Sequence, residues 1–315
     1  MAKIYVLHEN DEWTAPLKTA LETLGAEFEL WHLHEGSVNL MEAPPEGVFY
    51  NRMSASSHTR GHRYAPEYTA AVLRWLESYN RTVFNGTEAL QLELSKAAQY
   101  TSLVSHGIRV PETIAASGKQ AILDASKQMG SAPFITKHNR AGKGLGVHLF
   151  QDTAGLERYL QTDFEPSIDG ITLLQTYINN PDSVITRCEF VNGKFLYAVN
   201  VDTSDGFELC PADVCQIDDA FCPTTDQPRD RDKFSIIPNF QHEIIKKYEE
   251  FLQTHRISFA GIEFIRDEFG TLYTYDVNTN TNYNKDAEEK VGIYGMKHVA
   301  DQLVAALASA LHQNA

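Results

Sequence analysis

Residues 133–150 read PFITKHNRAGKGLGVHLF. An apolar, β-prone run ends on Lys137, the segment Arg140-Ala141-Gly142-Lys143-Gly144-Leu145-Gly146 interrupts it, and Val147 resumes an apolar strand. Glycines carry no Cβ, so backbone N–H groups can approach a phosphate closely, and Arg140 and Lys143 add charge for the same anion. Lys143 is followed by Gly144 rather than Ser or Thr, which excludes a Walker A loop. A strand rather than a helix comes next, which excludes a dinucleotide fingerprint. Taken alone, the segment fits a solvated hairpin connection equally well.

A second stretch, 261–282 (GIEFIRDEFGTLYTYDVNTNTN), reads as a hairpin with Glu263 on its first strand and Asp276 and Asn278 on its second. Residues two apart point to one face of a strand, so Asp276 and Asn278 share a face. The turn at 267–270 sets a register that brings Glu263 onto it. Two carboxylates and an amide oxygen are hard donors that suit Mg²⁺ bridged to nucleotide phosphates. Alone, the polar face of an edge hairpin is the simpler account; a basic glycine hairpin and a later carboxylate hairpin in one chain together point to a nucleotide held from two sides.

Around these stretches the chain has 315 residues, 43% hydrophobic and 22% charged, the profile of a globular protein of two or three domains. Lys+Arg 27 against Asp+Glu 42 gives a net charge of −15, which repels phosphate backbones and argues against a nucleic-acid partner. No apolar run reaches membrane-span length, the first residues turn polar too soon for a signal peptide, and four cysteines fit reduced thiols in a cytoplasm. Residues 4–7, 27–31, 47–52 and 81–84 read as strands alternating with helices at 13–24 and 66–79, which implies a parallel sheet covered by helices. One helix is expected at 88–106, a strand at 112–115, helices at 119–129 and 153–161, and three consecutive strands at 172–178, 184–191 and 195–201, the last two joined by Asn192-Gly193. Residues 202–238 read as irregular, followed by a helix at 241–253, the hairpin 259–278 and a helix at 295–311. The expected class is α/β (α+β), divided at 1–90, 91–170 and 171–315.

On these motifs the sequence resembles the ATP-grasp enzymes, and within them the carboxylate–amine ligase branch of glutathione synthetase and the ligase that adds glutamates to a ribosomal protein. The resemblance runs from about 81 to 311 and more loosely over the N-terminal part. It implies a Rossmann-like N-terminal domain, a small central lobe carrying the phosphate loop, and a larger antiparallel C-terminal lobe carrying the metal hairpin. LSKAAQYTSLVSHGIRVP resembles the family's lysine-bearing helix and implies that Lys96 contacts ATP phosphates; the family often has Asp where Ser95 stands. FITKHNRAGKGLGV is similar to the second lysine and lid, which implies ATP contacts for Lys137, Gly142, Lys143, Gly144 and Gly146. LQTYI (174–178) resembles the hinge and implies that Gln175, Tyr177 and Ile178 border the adenine, with Asp182 standing in at the ribose, since Ile185 occupies the usual position. Arg187 sits where the family places a catalytic arginine facing the transferred phosphate. Glu263, Asp276 and Asn278 match the family's ligands for Mg²⁺ or Mn²⁺. The activity implied is amide formation through an acyl phosphate, with ADP and phosphate released, acting on small-molecule or peptide substrates, and a homodimer is common among such enzymes.

On the substrate side, Arg52 follows a strand of the parallel sheet, and the loop after it carries His58, Arg60 and Arg63. Guanidinium forks suit carboxylates, so these four residues are the candidates for an acidic substrate, with a solvated basic loop as the alternative. Cys210, Cys215 and Cys222 lack the paired spacing of a zinc site, and the twelve histidines show no HxxxH pair on a helix, so zinc catalysis has no support here. A small-molecule kinase on the same fold and a non-catalytic nucleotide-binding regulator are the competing functions.

Overall fold

The computed structural model describes residues 2–130, 132–142, 144–204, 232–237 and 239–313. Three sheets organise it. The first is parallel, in the order β2 (Phe28–His32), β1 (Lys3–His8), β3 (Gly47–Asn51), β4 (Thr82–Phe84). Its strands are apolar without alternation because both faces are buried. Ile4, Val6, Val48 and Tyr50 face α1 (Asp11–Thr23), while Tyr5, Leu7 and Phe49 face α2 (Ala65–Ser78). The C-terminal helix α9 (Gly295–Gln313) also packs on this sheet: Val299, Ala300 and Leu303 join the α1 face, so the chain's end closes the core its beginning opens.

The second sheet is antiparallel, in the order β5 (Thr113–Ala116), β8 (Thr172–Thr176), β6 (Phe134–His138), β7 (His148–Phe150), with α5 (Lys119–Gln128) and α6 (Thr153–Thr162) against it. The third, also antiparallel, runs β11 (Phe234–Ile237), β10 (Lys194–Asp202), β9 (Val184–Val191), β12 (Phe259–Arg266), β13 (Leu272–Asn278). Its core face (Cys188, Phe190, Ile262, Phe264 and Val277) is covered by α3 (Thr87–Leu94), α4 (Lys96–Ser105) and α7 (Ile244–Thr254). Alternation then sends Arg187, Glu189, Glu263, Asp276 and Asn278 to the opposite face. A short helix α8 (Lys285–Val291) precedes α9. No helix among the described residues is long and apolar enough to cross a membrane.

Four local readings differ from expectation. The helix expected at 88–106 is two helices, broken at Ser95, whose extended backbone and side-chain oxygen cap α4 by accepting from Ala98 N at 3.2 Å. Ser is as good a cap as Asp, which accounts for the Ser standing before Lys96. Of the three consecutive strands expected from 172 to 201, the first joins β5 and β6 rather than β9, because Leu174 faces the α5/α6 core while Leu173 faces the core of the third sheet. Inside 202–238, a short strand, β11, pairs with β10. The bulge on the β12–β13 pair leaves Tyr275 unpaired between Asp276, opposite Glu263, and Thr274, opposite Phe264.

One side chain brackets the first and third sheets. Asn85, just after β4, is fully buried with φ +53°, a conformation Asn tolerates. Its Nδ2 donates to the carbonyls of Phe259 and Thr279, both at 2.8 Å, and its Oδ1 accepts from the amides of Ser258 and Phe259. Asn85→Ala strands these buried backbone groups without partners, so chemical denaturation should show a loss of about 3 kcal/mol or more. A loss within error of zero would mean that the bracket carries no stability.

Candidate active site

The cleft between the second and third sheets encloses about 1010 Å³ of empty space, open solvent included. Its walls are Ile135, Lys137 and His138 of β6, Ala141, Gly142, Gly144, Leu145 and Val147 of the glycine loop, Gln175 to Ile178 at the end of β8, and Ile185, Glu263, Ile265, Tyr275, Asp276 and Asn278 of the third sheet, with Lys96 at the start of α4. Ile135, Val147, Ile178, Ile185 and Ile265 give it an apolar interior, and the charged groups gather at one end.

The register predicted from the hairpin sequence is found: Glu263 pairs directly with Asp276, and Gly261 with Asn278. Asn278 Nδ2 lies 3.3 Å from Glu263 Oε1 and 3.4 Å from Asp276 Oδ2, so the three side chains converge. The bulge turns Tyr275 into the cleft beside Asp276, and its hydroxyl donates to Glu263 Oε2 at 3.0 Å. Strict alternation hides Tyr275 from sequence reasoning. On the neighbouring strand Glu263 pairs with Arg187, whose Nη1 donates to Glu263 Oε1 at 2.8 Å, whose Nε donates to Glu189 and whose Nη2 donates to Thr281 Oγ1 at 2.6 Å. Glu189 and Thr281 were not singled out in the sequence, although Glu189 sits two residues from Arg187 and must share its face. Gly261 matters as much. A Cβ there would stand 2.2 Å from the Arg187 Nη2, so the missing side chain is the floor on which the guanidinium lies.

Two lysines face this group. Lys96 Nζ donates to Asp276, and Lys137 Nζ donates to the Tyr100 hydroxyl and lies 4.9 Å from the Tyr100 ring centroid. Burial lowers the Lys137 pKa and the neighbouring Lys96 charge adds to it, bringing it to about 7. Burial also works against the Lys96 charge, but the Asp276 carboxylate outweighs it and holds Lys96 above the ordinary lysine range. Burial raises Glu263 despite Arg187; in Asp276 the same burial is overcome by Lys96 and the value falls. The start of the glycine loop is tied to α4 as well: the Asn139 carbonyl accepts from Lys96 N at 3.2 Å and its Oδ1 from Ala97 N at 2.8 Å. Gly144 and Gly146 take φ near +70°, and a Cβ on Gly146 would meet the His138 ring at 2.2 Å. Lys143 lies outside the described residues, as do Cys210, Cys215 and Cys222.

Several expected residues are placed otherwise. Gln175 lines the cleft, but its Nε2 is held by Thr113 Oγ1 at 3.0 Å. Tyr177 N already donates to the Pro133 carbonyl, leaving only its carbonyl and the Ile178 peptide for a ligand edge. Asp182 is exposed and does not line the cleft, whereas Ile185 does. The four substrate candidates do not converge. Arg52 is 2% exposed and donates to Trp13 O and Asn282 Oδ1; His58 Nδ1 contacts the Ala55 carbonyl; Arg60 is paired with Glu9; Arg63 is paired with Glu67. Acidic side chains of the same domain take up the basic charge that sequence alone shows as free. A second cavity adjoins the first across Lys96, Ala141, Gly142, Asp276 and Asn278, and none of Arg52, His58, Arg60 and Arg63 lines it. Its other walls are Trp13, Ser54 to Ser56, Asn280 and Asn282, mostly small and neutral polar groups, together with the buried charges of Glu93 and Arg187.

The Lys137 shift has a sign that can be measured. With a folded pKa of about 7 against an unfolded 10.5, the unfolded chain binds the extra proton between those values, so this group adds stability as pH rises through that window and costs stability below it. Lys137→Met should therefore gain stability relative to wild type near pH 7 and lose that advantage towards pH 9, as read by urea denaturation at each pH. An advantage that does not change with pH would overturn the assignment.

Residues 94–208 match the family model of the RimK-like ATP-grasp domain. A probable alpha-L-glutamate ligase of Aeromonas salmonicida is 28% identical over 139 residues, which is 44% of this chain and 46% of that protein. The matched stretch thus spans under half the length of such curated relatives. Among solved structures, the ATP-grasp ligase PsnB complexed with a minimal precursor superposes with a TM-score of 0.67 at 14% identity, over 96% of this chain and 99% of its own. The D-alanine–D-alanine ligase of Bacillus anthracis gives 0.66 at 16% identity, over 100% of both. The parallel sheet, the two antiparallel sheets and the cleft between them accordingly have the ATP-grasp fold, and residues 94–208 are similar to the RimK-like ATP-grasp domain.

Proposed function

We propose that the chain is an ATP-dependent carboxylate–amine ligase that forms an amide through an acyl phosphate and releases ADP and phosphate. One observation carries the reading: Lys96, Lys137, Glu263, Asp276 and Asn278 converge at the charged end of a cleft whose other end is apolar, and Arg187, hydrogen-bonded to Glu263, opens on the adjoining cavity. The apolar interior suits a purine, with the Tyr177 carbonyl and the Ile178 peptide at its edge. Lys96 and Lys137 neutralise the phosphates. A bound polyphosphate would pull the Lys137 pKa back up, because it supplies the anion that the buried ammonium lacks.

The donor set fits a divalent cation with hard-ligand preference. Glu263 Oε1 and Asp276 Oδ2 both lie within 3.4 Å of the Asn278 amide, and turning that amide about its last torsion points its oxygen into the same space. When bound there, Mg²⁺ or Mn²⁺ supplies charge neutralisation for the phosphate oxygens. PsnB has also been solved with Mg and ADP.

In the proposed reaction a substrate carboxylate oxygen attacks the γ-phosphorus and ADP leaves. An amine then attacks the acyl carbon, phosphate departs with the C–O electron pair, and the amine gives up a proton. The work is positioning and charge stabilisation. Arg187, fixed by Glu189 and Glu263, stabilises charge on the transferring group. Gly142, Gly144 and Gly146 form the lid that keeps water from the acyl phosphate. The carboxylate and the amine meet at the second cavity, beyond the wall of Lys96, Asp276 and Asn278, so an amino acid or a peptide terminus reaches the reacting centre there.

The test supplies ATP, Mg²⁺ and pools of amino acids and short acidic peptides, and measures ADP and phosphate together. Equimolar ADP and phosphate that depend on the pool and vanish in Asp276→Ala/Asn278→Ala are expected. ADP without free phosphate would show a kinase, and ADP absent from every pool despite ATP binding would favour a regulator. Gly261→Ala should lower turnover by about tenfold or more, equivalent to about 1.4 kcal/mol, by displacing the Arg187 guanidinium, while nucleotide affinity stays near wild type. Unchanged turnover would remove Arg187 from the reacting centre.

A further inference from the structure

We infer that His8, Asp11 and His32 form a binding site for a divalent transition-metal ion of the zinc class, at the carboxyl edge of the parallel sheet and apart from the cleft. His8 and His32 are the last residues of β1 and β2 and are paired in register, so their rings stand side by side on one face. Asp11, the first residue of α1, returns to the same point. One ring nitrogen of each histidine and one Asp11 carboxylate oxygen lie within 4.8 Å of one another.

The second observation is an unpaid polar atom. His8 is 1% exposed, and its Nδ1 has no hydrogen-bond partner; the Asp11 oxygen, at 3.8 Å, is too far to serve. A buried imidazole nitrogen without a partner is costly, and a coordinated cation removes that cost. The Asp11 side chain is 83% exposed and can rotate inward to the roughly 3.3 Å ligand spacing of a tetrahedral zinc ion.

Two imidazoles and one carboxylate suit Zn²⁺, Co²⁺ or Ni²⁺ rather than Mg²⁺, which separates this site from the carboxylate hairpin. Three protein donors leave one tetrahedral position for water. The surroundings are arranged as an outer layer. His34 Nδ1 lies 2.6 Å from His32 Nδ1, and the His62 ring packs on His32 and His34 while its Nδ1 meets Glu9 Oε2 at 2.8 Å. The site also leads to the second cavity. Glu9, next to His8, pairs with Arg60, and Arg60 lies 4.8 Å from the centroid of Trp13, which lines that cavity. A metal ion here pins the end of β1 to the first turn of α1, which carries Trp13.

The test uses the full chain, freed of metal by chelator and dialysis and then titrated with Zn²⁺ and with Co²⁺. Binding is read by calorimetry, by metal analysis after gel filtration and by the visible Co²⁺ spectrum, without nucleotide or substrate. His32→Ala and Asp11→Ala, both at positions with solvent access, are checked for folding by circular dichroism; Asp276→Asn is the control for binding at the carboxylate hairpin. The expected result is one equivalent bound by wild type and by Asp276→Asn, at least tenfold weaker binding in His32→Ala and Asp11→Ala, and a Co²⁺ spectrum without a thiolate charge-transfer band. Binding unchanged in both variants, a thiolate band, or no ion retained by wild type above buffer background would overturn the site.

Discussion

A buried guanidinium cannot be left unpaired, and Arg187 is the buried cation around which the third sheet is arranged. It satisfies one carboxylate on its own strand and one on the next: Glu189 lies two residues along β9, and Glu263 lies directly across on β12. Thr281 closes the ring by accepting from Arg187 and donating to Glu189 at 2.7 Å. A slip of one residue between β9 and β12 would carry Glu263 into the hydrocarbon core and leave Arg187 without half its countercharge. The same register places Asp276 opposite Glu263, so the pairing that keeps a charge from being stranded also assembles the charged end of the cleft.

That end is held in electrostatic tension. Glu189, Glu263 and Asp276 share the permanent cations Arg187 and Lys96, while Lys137 stands beside the rings of Tyr100 and Tyr275 with a proton it holds only weakly at neutral pH. Surplus negative charge sits at the carboxylate hairpin, and latent positive charge sits beside Tyr100. A ligand that brings both a cation and a polyanion resolves both at once, whereas either alone worsens one of them. This is a physical reason for metal and polyphosphate to enter such a site together.

Much of the architecture could be read from the chain because its signals are local. Apolar runs gave the parallel strands, Asn192-Gly193 gave the β9–β10 hairpin, and the spacing of Glu263, Asp276 and Asn278 gave one face of the β12–β13 pair. What escaped depends on residues far apart. The break at Ser95 is set by a cap whose partner loop begins at Asn139; the transfer of β8 to the second sheet is set by which cores Leu173 and Leu174 face; α9 reaches back to strands near residue 5. Tyr275 reaches the cleft through a bulge that strict alternation does not contain. Gly261 shows as a residue without a side chain until the guanidinium lying on it is seen. The cationic loop misled for the opposite reason: Glu9 and Glu67, distant or unremarkable in sequence, absorb Arg60, Arg63 and Arg140.

The two cavities differ in how they are built. The first takes much of its wall from paired strands, where register fixes each side chain to within one position: Ile135 and Lys137 on β6, and Glu263, Asp276 and Asn278 on β12 and β13. The second shares five residues of that wall, but its far side comes from the loops at 54–56 and 280–282 and from Trp13 on the first turn of α1. No ladder of hydrogen bonds fixes the length or composition of such loops, and they can change without moving Arg187 or Asp276. Asn85 and Asn282 bind the two halves from opposite ends, the first to the carbonyl groups of Phe259 and Thr279, the second to Arg52. The seam is therefore held by buried side-chain hydrogen bonds while the loops that line the second cavity are free to vary, so the charged wall can stay fixed as the space beside it changes.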